Sequence, residues 1–542
     1  MADGIVLEQG TRLSESLLWR LQRRFYDQKG PQAWAESTVP HYITSNVWIA
    51  NAYAKVVFGW LRDCAGAASR EAGSFPPLDL RHPVHIVELG CGSGRFGYLF
   101  LNRLLDLLGR SALSHVPVRY VFTDFTESNL DHLRNHPSLQ PFLDEGLVDF
   151  ARYDAVEDAE IRLGHSGEVL STQTLRNPLA VIANYVFDSI PQDAFRVRDG
   201  KLFELLATLT VPEEEKDLDD PALIQKVQVS WEEHPAAEDY YGDPELDPIL
   251  REYAERLEGT TVLFPCAAIR CARNLAQLSD NRLLLLSGDK GYSREELLAG
   301  RAEPGLAVHG SFSMMVNYHA LGRWFVHRGS ESLSTSHFYS SLTVVAGLLG
   351  TPPAGLLDTR LAFDDFVERL GPDDFFDLKK GRDDEYERLT LEQILSWLRF
   401  SGWDSNTFFG CFPALMKHAE SSADVLRAEV YRMVHEVWKN HFPIREPRDL
   451  AFHLGVVLCE IQCYQEALPF FQESLAAYGP NPATVFNVAL CQFQTGDLEA
   501  ARVNVEESLK GAPDFEPAQA LREELEAALP GDCDPDRVGR TG

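Results

Sequence analysis

The sequence predicts a mixed α/β protein, with a parallel-sheet domain between an N-terminal helical segment and a C-terminal all-α domain. Three observations carry this. From Val84 the chain alternates short apolar runs with helical stretches, the pattern of a parallel sheet and its crossover helices. The first apolar run ends in a glycine-rich turn that opens the next helix. After Gly371-Pro372 strand-like runs cease, and residues 450–528 repeat at a spacing of 34. The expected divisions are 1–80, 81–371 and 372–542, since 542 residues exceed one ordinary core.

Composition bounds the function classes. Hydrophobic residues make up 45% and charged residues 24%, as in a globular protein. The net charge of -31, from 50 basic and 81 acidic side chains, repels phosphate backbones and argues against nucleic acid. It suits a basic partner, and it equally serves solubility alone. Met1 to Arg24 has no signal-type apolar run, and no stretch reaches the roughly eighteen apolar residues of a membrane span. The nine cysteines lack metal-ligand spacing, so no metal is expected. A reducing, cytoplasmic setting follows as an expectation.

Taken in order, residues 12–72 read as helical, with Leu13, Leu17, Leu18, Leu21 and Phe25 at helical spacing and a second helix near Val47–Leu61. Gly73–Pro77 breaks that pattern. Expected strands are His85–Leu89, Val118–Thr123, Val148–Ala151, Leu179–Asn184 and Arg282–Ser287. An acidic stretch at about 212–248, including Glu213-Glu214-Glu215 and Asp217 to Asp220, reads as a surface insertion, partly helical, and a candidate lid. In the repeat, Ala467 falls on Ala501, Ser474 on Ser508 and Leu475 on Leu509. With Leu454-Gly455, Tyr464 and Phe471, this resembles the tetratricopeptide pattern over about 448–529, a helix from Pro517 to Leu529 closing the stack. The helices from Leu391 to Trp438 are expected to supply further packing surface.

The run Val84 to Gly97 carries the chemistry. An apolar strand ends at Glu88, and Gly90, Gly92 and Gly94 follow at every second position. Gly92, Gly94 and Gly97 also form G-x-G-x-x-G, so a dinucleotide is one reading. S-adenosylmethionine (SAM) is the other: Glu88 can reach its amino group, and E-L-G-C-G-S-G resembles motif I of class I methyltransferases. Asp124, ending the second strand, can accept ribose hydroxyls or cap the next helix. Phe125 can pack on an adenine or in the core. Asp154, after the third strand, can meet the adenine amino group or stand in a solvated loop. The cofactor-binding candidates are thus Glu88, Gly90, Gly92, Gly94, Arg95, Asp124, Phe125, Asp154 and Asn184.

The fourth strand leads from Asn184 into Tyr185 and Asp188, the catalytic candidates. Ala183, Asn184, Asp188, Pro191 and Phe195 match a run by which the chain resembles the MidA-type methyltransferases, patchily over residues 40–350. Ser287 to Tyr292 and His309 to Tyr318 resemble later segments of that family. The resemblance implies a Rossmann-like class I methyltransferase fold and in-line methyl transfer from SAM, with residues that mainly align the reactants. It also implies a protein arginine as acceptor. Tyr185 stands where the family has glutamate, which removes a carboxylate from a guanidinium site; Asp188, Asp193 and Glu127 are the candidates to compensate. Asp188 is the first choice of base, Tyr185 the second if its pKa is lowered. His309 and His319 are further acid–base candidates or structural histidines.

Four functions compete. The favoured one is methylation of a protein or peptide recruited by the repeats. The others are methylation of a small metabolite with the repeats mediating packing or homodimerisation, a non-catalytic scaffold, and a nucleotide-dependent oxidoreductase using the Gly92–Gly97 loop.

Overall fold

Val84–Leu89 and Leu179–Asn184 are six-residue runs rich in β-branched and aliphatic side chains, and nearly every position is buried. Such strands need cover on both faces, which a parallel sheet with flanking helices provides. The computed structural model of the protein, which describes residues 4–36, 38–66, 78–212, 220–350, 355–419 and 424–528, places them side by side at the centre of a seven-stranded sheet. The order is Glu331–Ser334, Thr343–Leu348, Leu283–Asp289, Leu179–Asn184, Val84–Leu89, Val118–Asp124, Val148–Arg152. Thr343–Leu348 alone runs against the other six. The strand order reverses between Val84–Leu89 and Leu179–Asn184, so their carboxyl ends part around a crevice.

The chain divides into two units, Met1–Asp377 and Leu378–Gly542. The first contains a second sheet that the sequence reading did not foresee. Gly4–Arg12, Lys201–Pro212, Asp193–Arg198 and Thr260–Phe264 pair antiparallel, and Gln228–Pro235 adds to Lys201–Pro212. Two expectations are corrected by it. Residues 4–12 are a strand, so the segment 1–80 is not helical throughout, although Leu17–Lys29 and Val47–Gly66 are helices. The insertion at 212–248 is not merely a partly helical surface segment: after a short 3-10 helix at Pro221–Gln225, Gln228–Pro235 is a strand of this sheet, followed at Asp247–Arg256 by a helix. Its acidic run 213–219, like the breaker at Gly73–Pro77, lies outside the described residues. A local signal for this sheet existed. Asp199 and Gly200 both take positive φ, as a two-residue type I′ hairpin requires, and apolar residues alternate after them.

The second unit is helical. Leu450–Glu460 and Tyr464–Tyr478 pair, as do Pro482–Gln494 and Leu498–Gly511, and Glu516–Ala528 covers the end; Leu529 lies outside the described residues. The small residues Ala467, Ala501, Ser474 and Ser508 are all buried where paired helices approach. Ile394 and Leu398, with Met433 and Val437, join Leu454 and Phe471 in one core, so the helices before the repeat do supply packing surface. No helix among the described residues is long and apolar enough to cross a membrane.

Candidate functional site

A cavity of about 380 Å³ opens at the parted strand ends. Its walls bring together Glu88, Gly90, Gly92, Asp124, Phe125, Asp154, Asn184, Tyr185 and Asp188. Of the residues predicted from the sequence, Gly94 and Arg95 are not on the wall. Gly94 is covered by Leu133, which a Cβ would meet at 2.4 Å, and Arg95 opens the Arg95–Gly109 helix as a buried side chain.

At one end the glycine loop is fixed by backbone geometry. Gly90, Gly92 and Gly94 have φ of 58°, 50° and 75°, which side-chain-bearing residues adopt at a cost. A Cβ on Gly92 would also lie 2.8 Å from the Trp34 ring. Asp124 ties this loop to the next helix. It accepts from Thr126 N at 2.9 Å, Thr126 Oγ1 at 2.8 Å, Asn129 Nδ2 at 3.2 Å and Gly92 N at 3.2 Å. Burial raises its pKa and these bonds oppose the rise. Glu88 is 4% exposed and accepts from Tyr120 Oη at 2.9 Å. Burial pushes its carboxyl up to about 8. A buried carboxyl lacking a cation is a costly arrangement that an ammonium group entering the cavity would relieve.

The N-terminal segment closes this end, and sequence reasoning missed its contribution. Arg23 forms an ion pair with Asp154 and lies 5.0 Å over the Phe125 ring. Tyr26 meets Phe125 edge-on at 6.3 Å and stacks with Trp34 at 6.0 Å. Leu18, Leu21 and Phe25 are buried, which explains why the apolar stripe was read as core alone. The clustered Trp19, Arg20, Arg23 and Tyr26 on the cavity wall were the overlooked signal.

At the other end, Asn184 Oδ1 accepts from Tyr53 Oη at 2.9 Å. Its Nδ2 is buried and has no hydrogen-bond partner among the described residues, so it is a donor awaiting an acceptor. Tyr185 holds a φ of 53° and donates to the Ser341 carbonyl at 3.0 Å. Burial and the nearby Asp188 raise its pKa, opposite in direction to the lowering that a role as base supposes. Asp188 is 2% exposed, accepts from Ser189 Oγ at 2.8 Å and is pushed up to about 6, chiefly by burial. Lys290, also on the wall, opposes that rise.

Two carboxylates suggested for a guanidinium are elsewhere. Asp193 accepts from Ser14 N at 3.0 Å and Tyr241 Oη at 2.6 Å, and Glu127 pairs with Arg134 at 2.5 Å. Neither lines the cavity. His309 does, whereas His319 bonds Tyr253 Oη at 2.9 Å outside it. Burial lowers the pKa of both histidines.

No protein-family model and no curated protein matches the sequence. Among solved structures, the chain is similar to an uncharacterised superfamily protein from Burkholderia thailandensis, at 14% identity and a TM-score of 0.37, over 63% of this chain and 89% of that one. A second member of that superfamily from the same organism, bound to S-adenosyl-homocysteine, gives 15% identity and 0.32 over 53% and 64%. A TPR protein from Thermus thermophilus gives 12% and 0.22 over 32% and 90%.

Proposed function

We propose that the protein is a SAM-dependent methyltransferase. The observation that carries this is Glu88: a buried carboxyl at the end of the central strand, on the wall of a nucleoside-sized cavity, with no cation beside it among the described residues. The same position disfavours a dinucleotide, because its oxygen lies against the first turn of the Arg95–Gly109 helix, where a pyrophosphate would add negative charge. SAM supplies a methyl group made electrophilic by a sulfonium. Glu88 would hold its ammonium, the Gly90–Gly92 backbone would cradle it, and Phe125 and Asp154 would face its adenine. Asn184 Nδ2 supplies a free donor to the cofactor or the acceptor.

The acceptor in this reading is a protein or peptide recruited through the repeat helices. A guanidinium is disfavoured, because Tyr185 replaces the family's acid, Asp193 and Glu127 are away from the cavity, and Lys290 adds a positive charge. The test uses methyl-labelled SAM with a lysate of the protein's own organism, for the full chain and for a chain ending at Asp377. Label entering protein with the full chain, lost in the shorter one while SAH affinity persists, is expected. Label entering only small molecules, at equal rates for both chains, overturns the recruitment.

A further inference from the structure

Behind Asp188 stands a second carboxyl that does not reach the cavity. Asp289, ending the Leu283–Asp289 strand, is 0% exposed. The two carboxyls are close enough to interact, and the Asp188 backbone N–H points at Asp289 Oδ1 at 3.5 Å. Asp289 Oδ2 is held from the other side. It accepts from Tyr318 Oη and from Ser287 Oγ at 3.2 Å. Ser287 Oγ and Tyr318 Oη also meet at 2.7 Å. With Oδ2 engaged by hydroxyls, the side open to Asp188 is Oδ1.

Two adjacent buried carboxyls do not both ionise near neutral pH, so one proton stays between them. The charged and titratable groups around the pair are few. Lys290 follows Asp289 in the chain, and His309 lies close enough to feel the Lys290 charge. Tyr185 adjoins Asp188, Tyr26 faces it from the N-terminal helix, and Tyr53 and Tyr318 face Asp289. Burial raises the pKa of all four phenols, so none offers a competing negative charge. Among the described residues the cation named against the pair is Lys290, which favours ionisation of Asp188. Burial and that neighbouring negative charge hold Asp289 well above the usual carboxylate range.

We propose that Asp188 and Asp289 act as one proton-accepting pair, in which Asp289 keeps its proton and directs it at Asp188, and that the acceptor is therefore an N–H or O–H group that must lose a proton on methylation. Asp289 is a positioning residue in this scheme, and Asp188 is the base. The acceptor's lone pair forms the bond to the methyl carbon as the carbon–sulfur bond breaks, leaving a neutral thioether. The acceptor's proton passes to the Asp188 carboxylate, which later returns it to water through the cavity. The inference rests on the methyl-transfer reading.

Infrared difference spectra of the full-length protein at pH 8, wild type minus Asp289→Asn, test it without any acceptor. A protonated-carboxyl band present in the wild type and lost in the variant is expected. Asn keeps a donor at that position, so the carboxylate band of Asp188 is expected to titrate with nearly the wild-type midpoint. Asp289→Leu removes the donor and should raise that midpoint by about one unit or more. Tyr318→Phe guards against misfolding, and should shift the band while keeping it. Glu88, held near 8, contributes equally to both proteins and cancels, so absence of a protonated-carboxyl band from the difference spectrum overturns the pair. Calorimetry with SAH separates the two levels. A protein that shows the band and binds no SAH overturns the assigned use of the pair, whereas SAH binding without the band overturns only the pair.

Discussion

The two ends of the cavity are built in different ways. The glycine-loop end comes mostly from one stretch, Val84 to Phe125, joined by Asp154 and by a cover from the N-terminal segment. The other end joins residues far apart in the chain: Tyr53, Asn184, Asp188, Asp289, Lys290 and Tyr318. A loop that binds through backbone must spend glycines, and those are visible in any sequence. A site that works by side-chain proximity leaves no local trace. In the proposed reading the first end is therefore a matter of shape, and the second a matter of proton placement.

Four changes separate these roles, from the largest effect to the smallest. Asp188→Asn should lower kcat by roughly 10²–10⁴-fold while leaving SAH affinity within about twofold, because it removes a base and no binding surface. Single-turnover kinetics with labelled SAM, beside calorimetry, would read both values. Gly92→Ala does the reverse. It forces a Cβ into a φ of 50° and against Trp34, and should weaken SAH binding by roughly tenfold or more.

Glu88→Gln should act through pH. The Glu88 carboxyl, held near 8, must lose its proton to meet an ammonium, so wild-type SAH affinity rises from pH 6 to pH 8. The variant should lack that rise, with the gap about tenfold at pH 8 and closing towards pH 6. The sign for stability follows the same logic. A carboxyl whose folded pKa lies above its unfolded value stabilises the fold below the unfolded value, and loses that contribution as pH rises through about 8. The gain in Tm from saturating SAH should accordingly be larger at pH 8 than at pH 6. The smallest change is Tyr185→Phe. Its hydroxyl serves the Ser341 carbonyl, so the rate profile should keep its shape and stability should fall by about 1 kcal/mol, read by denaturant titration.

The legibility of the molecule divides along the same line. The central strands were readable because a doubly covered strand is apolar at every position, and the helix pairs because their small residues recur at a fixed spacing. Glu88 and Asp124 were readable at the ends of strands, and Asp188 as part of the run that follows the fourth strand. The antiparallel sheet was not, because its strands are half-buried and Gly4–Arg12 pairs with residues some two hundred positions away. The part of the cover formed by Arg23 and Tyr26 was hidden within an amphipathic helix whose apolar stripe looked sufficient in itself, and Trp34 joins it from the short helix Gln32–Ala35. That the Tyr185 hydroxyl bonds the Ser341 carbonyl is visible only in the fold. Asp289 lies in the run Ser287 to Tyr292, yet its nearness to Asp188 arises only because Leu283–Asp289 and Leu179–Asn184 run side by side.

The central claim is that Glu88 awaits the ammonium of a sulfonium cofactor. Calorimetry of SAH binding to the full-length protein at pH 7, repeated in buffers of different ionisation enthalpy, tests it most directly. One molecule of SAH per chain, bound with release of a proton that Glu88→Gln abolishes, is the predicted result. Binding of NAD without SAH, or SAH binding whose proton release survives in Glu88→Gln, would contradict it.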